Sequence, residues 1–173
     1  MFAWGSKKEP ESKKMAPGLK HEIVVVPKWE ENRDSGKTFL ITEMPAMQAE
    51  KWGYAMLFVL KGSGTEIPEA VMKMGMIGVA YATANAFMKA DIDPKKFNPL
   101  LDEMMTCVKL IRDPSTRDKV TGEMIATPIV SDTDIQEIQT LGWLRSEVIR
   151  VHTGFTLVEV IQNWLASTKT QPA

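Results

Sequence analysis

The sequence predicts a mainly α or α+β fold, in which a helical domain surrounds a central apolar helix and carries one or two small β-hairpins. Residues 65–89 are apolar at nearly every position, and on a helical wheel the apolar residues occupy all sides. Such a helix is normally buried all round or given to a partner. Two pairs of β-branched runs, each pair flanking a polar loop, predict the hairpins.

The predicted central helix begins close to Pro68. Proline suits the first turn of a helix, because its missing N–H has no intrahelical partner to lose there. At about 100° per residue, four small residues fall on one stripe of this helix, where another backbone can come close. These residues are Gly75, Gly78, Ala82 and Ala86.

Length and composition predict one domain. A chain of 173 residues is long enough to bury a hydrophobic core. We assign residues 21–167 to a single mainly helical domain, residues 1–20 to a flexible N-terminal tail and residues 168–173 to a C-terminal tail. The first segment is rich in Lys, Glu, Pro and Gly and has little apolar surface to bury.

The charge and hydropathy of the chain exclude two classes of partner. The formal net charge of −1 gives no whole-chain attraction to nucleic acid or to anionic lipid. The apolar part of residues 65–89 is interrupted by Thr83 and Asn85, and it is shorter than the ~18 residues that a membrane span needs. We therefore expect no nucleic-acid partner and no membrane partner.

The two hairpins follow from their flanking runs. Residues 22–26 and 37–42 enclose the first polar loop, and residues 107–111 and 123–130 enclose the second. Because Pro128 has no N–H to donate to a neighbouring strand, its run is predicted to lie at an edge. A lone hairpin is marginally stable in water, so each must pack on the helices or share a sheet with the other.

The remaining segments predict helices around the central one. One helix covers residues 45–61 and a short one covers 97–106. A third runs from 131 to about 152, and its first four residues supply N-cap candidates. Gly154 is its predicted C-cap, and a capping box at residues 156–159 opens a last helix.

Four large apolar residues are partner-binding candidates, because they fall outside the main apolar face of their helices. In the helix of residues 45–61, a second apolar face lies nearly opposite the first. The fourth candidate, a tryptophan in the helix of residues 131–152, points away from the apolar stripe of that helix. Burial in the core is the usual fate of such residues, and a partner surface is the alternative. The candidates are Met47, Tyr54, Phe58 and Trp143.

The sequence predicts a protein without catalytic residues, metal ligands or cofactors. Its single cysteine, Cys107, lies among apolar neighbours, which favours an inert core thiol over a nucleophile. His152 ends a predicted helix, where a cationic ring meets free carbonyl groups. No phosphate-binding glycine loop, nucleophile elbow or zinc-binding helix motif is present. We therefore expect a protein that is not an enzyme.

Three segments resemble the tail assembly chaperones of long-tailed bacteriophages. They are KTFLITEMPAMQAEKW at residues 37–52, LLDEMMTC at residues 100–107, and VHTGF at residues 151–155 followed by a short final segment. They occur in the order in which that family has them and are spread over most of the chain from residue 37 onward. None is a catalytic motif, so the resemblance rests on the set of three.

The resemblance implies a non-enzymatic, mostly helical protein that binds the tape-measure protein and keeps it soluble for tail-tube polymerisation. It also implies a contact with the tail-tube protein through a longer, frameshifted form, and it leaves self-association open. Such a protein works in the host cell cytoplasm and is not retained in the mature virion. Its binding surface needs side chains that adapt to different neighbours. Methionine is such a side chain, and the chain has twelve methionines.

Three other classes of protein compete with this interpretation. A structural neck or tail-completion protein would stay in the virion. A nucleic-acid-binding regulator would use the lysines of residues 1–20, but it needs a basic helical face that residues 131–152 lack, having only Arg145 and Arg150. An enzyme would need an accessible Cys107.

Overall fold

The two predicted hairpins join into one antiparallel sheet. A computed structural model describes residues 18–64, 66–74, 76, 78–79, 82, 92–130 and 132–155. Within them, strands β1 (His21–Val25), β2 (Thr38–Thr42), β3 (Val108–Ile111) and β4 (Thr127–Pro128) form a four-stranded sheet in the order β1-β2-β3-β4. The predicted shared sheet is thus confirmed, and Pro128 lies on an edge strand as predicted.

The register of the sheet separates its two faces. Val24 pairs with Phe39, which pairs with Leu110, so these three side chains point to the same, inner face. All three are buried and belong to the hydrophobic core. Ile23 pairs with Leu40 and points to the opposite, outer face, where it is half exposed. The inner face therefore carries the core, and the helices pack on that side.

Four helices are described. They are α1 (Ala46–Gly62), the four-residue α2 (Glu69–Met72), α3 (Pro94–Met105) and α4 (Ile138–Thr153). Buried residues from α1 and α4, among them Trp52, Leu57, Leu144 and Val148, share one core cluster with the inner face of the sheet. The predicted helices at 45–61 and 97–106 are confirmed, the second beginning three residues earlier, where Pro94 occupies the first turn and the Asp93 side chain caps Lys95 N–H at 3.0 Å.

The predicted mainly α domain around a long central apolar helix is wrong; the described architecture is α+β. In the described part of residues 65–89, α2 ends at Met72 and the chain turns at residues 73–74 before residues 76, 78, 79 and 82 are helical again. Met74 N–H donates to the Val71 carbonyl at 3.0 Å, a tight bond over three residues.

The break places the backbone of Gly78 against Val71, where only a residue without a Cβ atom fits. A Cβ atom on Gly78 would lie 2.2 Å from the Val71 carbonyl oxygen. Residues seven apart in a continuous helix are separated by about 10 Å along its axis, so the chain bends sharply between them. The small-residue stripe thus serves a contact within the segment, at Gly78. Gly75 and Ala86 lie outside the described residues.

The start of α4 is also displaced from the prediction. The helix begins at Ile138, not in residues 131–134, because the Asp134 carboxylate accepts from Arg112 at 2.7 Å and from Val130 N–H at 3.1 Å. The end agrees with the prediction: Gly154 has a φ of 84° and donates its N–H to the Arg150 carbonyl at 2.7 Å. The capping box at 156–159 and the last helix lie outside the described residues.

The segment that leads into α4 is held by Asp34, a residue from the β1–β2 loop. The buried Asp34 carboxylate accepts the N–H of Gln136 and of Glu137, each at 2.9 Å, and the ammonium of Lys37 at 2.6 Å. Both N–H groups belong to residues just before the first helical residue, Ile138, so Asp34 fixes the entry into α4 and does not cap its first turn. One side chain thus fixes the first hairpin to the last described helix.

Replacing Asp34 by alanine removes these hydrogen bonds and leaves the Lys37 charge without its carboxylate in a partly buried site. We expect the Asp34→Ala variant to lose about 3 kcal/mol of the free energy of unfolding, measured by urea denaturation. The matched control is Glu137→Gln, which changes a side chain paired with exposed Arg33 but keeps the backbone N–H that Asp34 holds. If the urea midpoint of Asp34→Ala equalled that of the control, the contribution of the Asp34 hydrogen bonds to stability would be contradicted.

The same carboxylate makes stability depend on pH. Burial alone raises the pKa of Asp34, but hydrogen bonds from Lys37, Gln136 and Glu137 outweigh burial and hold the pKa below its ordinary value of 3.8. The unfolded chain therefore takes up this proton more readily, so the stabilisation is complete well above pH 3.8 and is lost as the pH falls through the folded-state pKa. Between about pH 6 and pH 3 we expect the free energy of unfolding to fall more steeply for the wild type than for Asp34→Asn. Parallel pH profiles in urea denaturation would contradict this.

Candidate functional site

Helix α1 is held in place by its inner face. The Trp52 indole N–H donates to the Leu100 carbonyl of α3 at 2.8 Å, and the Gln48 amide donates to the Glu103 carboxylate at 3.0 Å. Trp52, Met56 and Leu60 are buried in the core, as the sequence predicts for the first apolar face of this helix. These contacts fix the position of α1 and therefore of the side chains on its opposite face.

The outer face of α1 carries three of the four predicted partner-binding residues. Met47 is 73% exposed, Phe58 is 62% exposed and Tyr54 is 36% exposed. Separations of seven and four residues place them on one side of a helix. We call Met47, Tyr54 and Phe58 the α1 stripe. Its three large apolar side chains share one side of α1, with charged Glu50 and Lys51 between Met47 and Tyr54.

The α1 stripe runs beside two shallow depressions between α1 and the α3 region. The first, about 490 Å³, is lined by residues that include Met47, Lys51 and Glu103. The second, about 280 Å³, is lined by residues that include Phe58, Asp93 and Lys96. Each depression thus combines an apolar side chain of the stripe with one acidic and at least one basic group. This arrangement suits an apolar helix with few charges of either sign.

The fourth predicted residue, Trp143, lies elsewhere. It is half-buried on α4 and packs edge-on against Trp29 of the β1–β2 loop, with ring centroids 6.0 Å apart and planes at 84°. This geometry is a favourable aromatic contact. Trp143 lines neither depression, so the structure gives it a packing contact and does not bring it to the α1 stripe.

Sequence reasoning missed the charged residues beside the stripe and a third depression. No pattern in the sequence points to Lys51, Lys96, Asp93 or Glu103, because their proximity depends on how α1 and α3 pack. The third depression, about 830 Å³, lies over the outer sheet face and is lined in part by His21, Ile23 and Leu40. It is the largest of the three, but it is away from the stripe. The apolar run at residues 22–26 is the sequence feature that could have indicated this third depression, because such a run puts apolar side chains on both faces of a strand.

The residues with reactive side chains are engaged in packing. Cys107 is buried, and burial together with the nearby Glu103 charge raises the pKa of its thiol to about 11. His152 accepts the Met44 N–H on Nε2 at 2.7 Å, and its Nδ1 lies 2.7 Å from the Val148 carbonyl, to which it must donate. The ring therefore links the end of α4 to the residues just before α1, and it meets a carbonyl group at the helix end, as the sequence predicts. In the described part of the chain, no group of three His, Cys, Asp or Glu side chains is placed to hold a metal ion.

Comparison of the chain with models of protein families, with curated proteins and with solved structures gives no match. Among the described residues, no helix has both the length and the apolar character needed to cross a membrane.

Burial should make Cys107 slow to react. A thiol with a pKa of about 11 holds little thiolate at neutral pH, and the thiolate is the reacting form. We expect a colorimetric thiol reagent to label the native protein at least about 100-fold more slowly than the urea-unfolded protein. Equal labelling rates in the two states would contradict the buried position and reopen a role for this cysteine in catalysis.

Proposed function

We propose that this protein is a phage tail assembly chaperone, a non-enzymatic protein that binds the tape-measure protein and keeps it soluble until the tail tube polymerises around it. The exposed α1 stripe is the observation that carries the proposal. Met47 and Phe58 are mostly exposed on a helix whose opposite face is fixed by Trp52. A rigid helix with an open apolar line is the form in which amphipathic partner helices are received.

The chemistry of the stripe fits a long apolar helical chain as the ligand. Full burial of a Phe or Met side chain contributes about 1.5–3 kcal/mol, so Met47 and Phe58 together can support weak, repeated contacts along such a chain. Methionine adapts its shape to different neighbours, which suits a partner without a single fixed sequence. The mixed charges at the depressions, among them Lys51 and Glu103, select for neither sign.

The proposal includes the place and the other partners of the protein. It acts in the host cell cytoplasm, leaves before the virion matures, and reaches the tail-tube protein through a longer frameshifted form. The resemblance at residues 37–52, 100–107 and 151–155 supports these points. A slippery heptamer in the nucleotide sequence near codons 167–173, an open frame after it and a tape-measure gene downstream would support them further.

The binding test uses the double variant Tyr54→Ala plus Phe58→Ala. Both side chains are exposed to a substantial extent, so we expect the free energy of unfolding to change little while tape-measure binding weakens by roughly 30-fold, equivalent to about 2 kcal/mol. The measurement is the fraction of tape-measure protein that stays soluble on co-expression, followed by titration of the purified pair. Circular dichroism reports the helical content of each variant.

The matched control is Val120→Ala plus Ile138→Ala, which removes two exposed apolar side chains away from the stripe. This control should hold the tape-measure protein as the wild type does. Equal binding by both double variants would overturn the role of the stripe, and loss of helicity in the first would assign its residues to the core. Finding the wild-type protein in purified virions would instead favour a neck or tail-completion protein.

A further inference from the structure

The two edges of the sheet are protected to different degrees. At one edge, β4 has only two residues and includes Pro128, which cannot donate to a further strand. At the other edge, β1 has five residues without proline, and its outer face carries no Asp, Glu, Lys or Arg. Proteins usually guard sheet edges with short strands, proline or charge. The outer face of β1 has neither proline nor charge, the nearest charges being Lys20 and Glu22 on the inner side, and among the described residues no further strand pairs with this edge.

The backbone of β1 alternates between its neighbour and this open edge. Lys20 exchanges hydrogen bonds with Glu43, and Val26 N–H donates to Lys37. Even-numbered residues between them therefore face β2, and by the alternation of an antiparallel ladder the N–H and C=O groups of Leu19, His21 and Ile23 face outward. In the described residues, no strand pairs with that side of β1.

We propose that the β1 edge pairs with the β1 edge of a second copy of this chain, antiparallel and centred on His21, to form a continuous sheet across a two-fold axis. This interface is independent of the α1 stripe, and it does not depend on the proposed function. In an isologous contact the same surface of both copies meets, so that if residue i contacts residue j, residue j also contacts residue i. The strand must therefore be complementary to itself.

Side-chain complementarity selects this register. Centring on His21 places Leu19, 44% exposed, opposite Ile23, 47% exposed, and places Lys20 opposite Glu22. Lys20 and Glu22 already lie 3.6 Å apart within one chain, so the interface repeats an attraction of opposite charges. Centring on Glu22 would oppose two glutamates. Centring on Ile23 would place Glu22 opposite Val24, Lys20 opposite Val26 and Leu19 opposite Pro27, which cannot donate to the ladder.

The overall charge permits self-association. With a formal net charge of −1, two copies repel each other weakly. A short strand pair buries a small area, so we expect a dimer that forms at micromolar concentrations and not an obligate one.

The first test is sedimentation of the full chain at concentrations up to roughly 100 µM. We expect the wild type to reach twice the monomer mass of 19.4 kDa, and Ile23→Lys to dimerise at least ~10-fold more weakly because a charge then opposes Leu19. Ile138→Lys, the same change at an exposed site on α4, should dimerise like the wild type. If Ile23→Lys fails to fold, the cysteine variants below decide the matter.

The second test reads the register by disulfide trapping. In the proposed pairing, His21 lies directly opposite His21 of the second copy at about 5.5 Å between Cα atoms, within reach of a disulfide. His21→Cys should therefore cross-link under mild oxidation. Ile23→Cys should not, because each copy of residue 23 is four residues, about 13 Å, from the other. Buried Cys107 stays out of the reaction.

Three results would overturn the proposal. One is a wild type that is monomeric up to roughly 100 µM. This holds also if a chain without residues 1–17 dimerises, because that result would assign the β1 edge to the N-terminal segment. Another is undiminished dimerisation of Ile23→Lys. The last is cross-linking at residue 23 in preference to residue 21.

Discussion

The buried carboxylate of Asp34 is the constraint on which the arrangement of sheet and helices depends. It joins two parts of the chain that are about a hundred residues apart in sequence: Lys37 beside β2, and the N–H groups of Gln136 and Glu137 before α4. Lys37 also donates to the Thr133 and Asp134 carbonyls, so the segment before the helix is held from both sides. A buried carboxylate is tolerated only when its lone pairs are satisfied, and here the helix start and the hairpin loop satisfy them together.

Once α4 is fixed on the sheet, the position of α1 follows. The Trp52 indole and the Gln48 amide bind α1 to α3, which itself packs on α1 and α4. His152, at the end of α4, accepts the Met44 N–H just before α1 begins. Hydrogen bonds thus hold α1 along its inner face, at Gln48 and Trp52, and just before its first residue, at Met44. These bonds use the inner face of α1, whereas Met47 and Phe58 on the opposite face stay mostly exposed.

Local sequence signals were sufficient for the elements whose causes are local. Gly154 ended its helix at a positive φ, Pro128 marked an edge, and the two faces of α1 were separable because its pattern has the helical period. The signals failed where distant residues compete. The apolar run at 65–89 bends between Val71 and Gly78, and the start of α4 moves to Ile138 because Asp134 binds Arg112 and the Val130 N–H, contacts that no local capping rule can find. The apolar stripe of the candidate site was predictable, whereas the flanking charges, which come from two separate helices, were not.

The interior and the surface of the described chain differ in how far their groups are satisfied. Among buried side-chain polar atoms of the described residues, only Arg145 Nε has no hydrogen-bond partner. At the surface, the α1 stripe exposes apolar side chains, and no described strand pairs with the outward-facing backbone groups of β1. Exposed apolar side chains gain nothing from folding, because they remain in water in both states. The free energy of burying such side chains is gained only on association. An apolar helix would gain it at the α1 stripe, and a pairing strand would gain its share at the β1 edge.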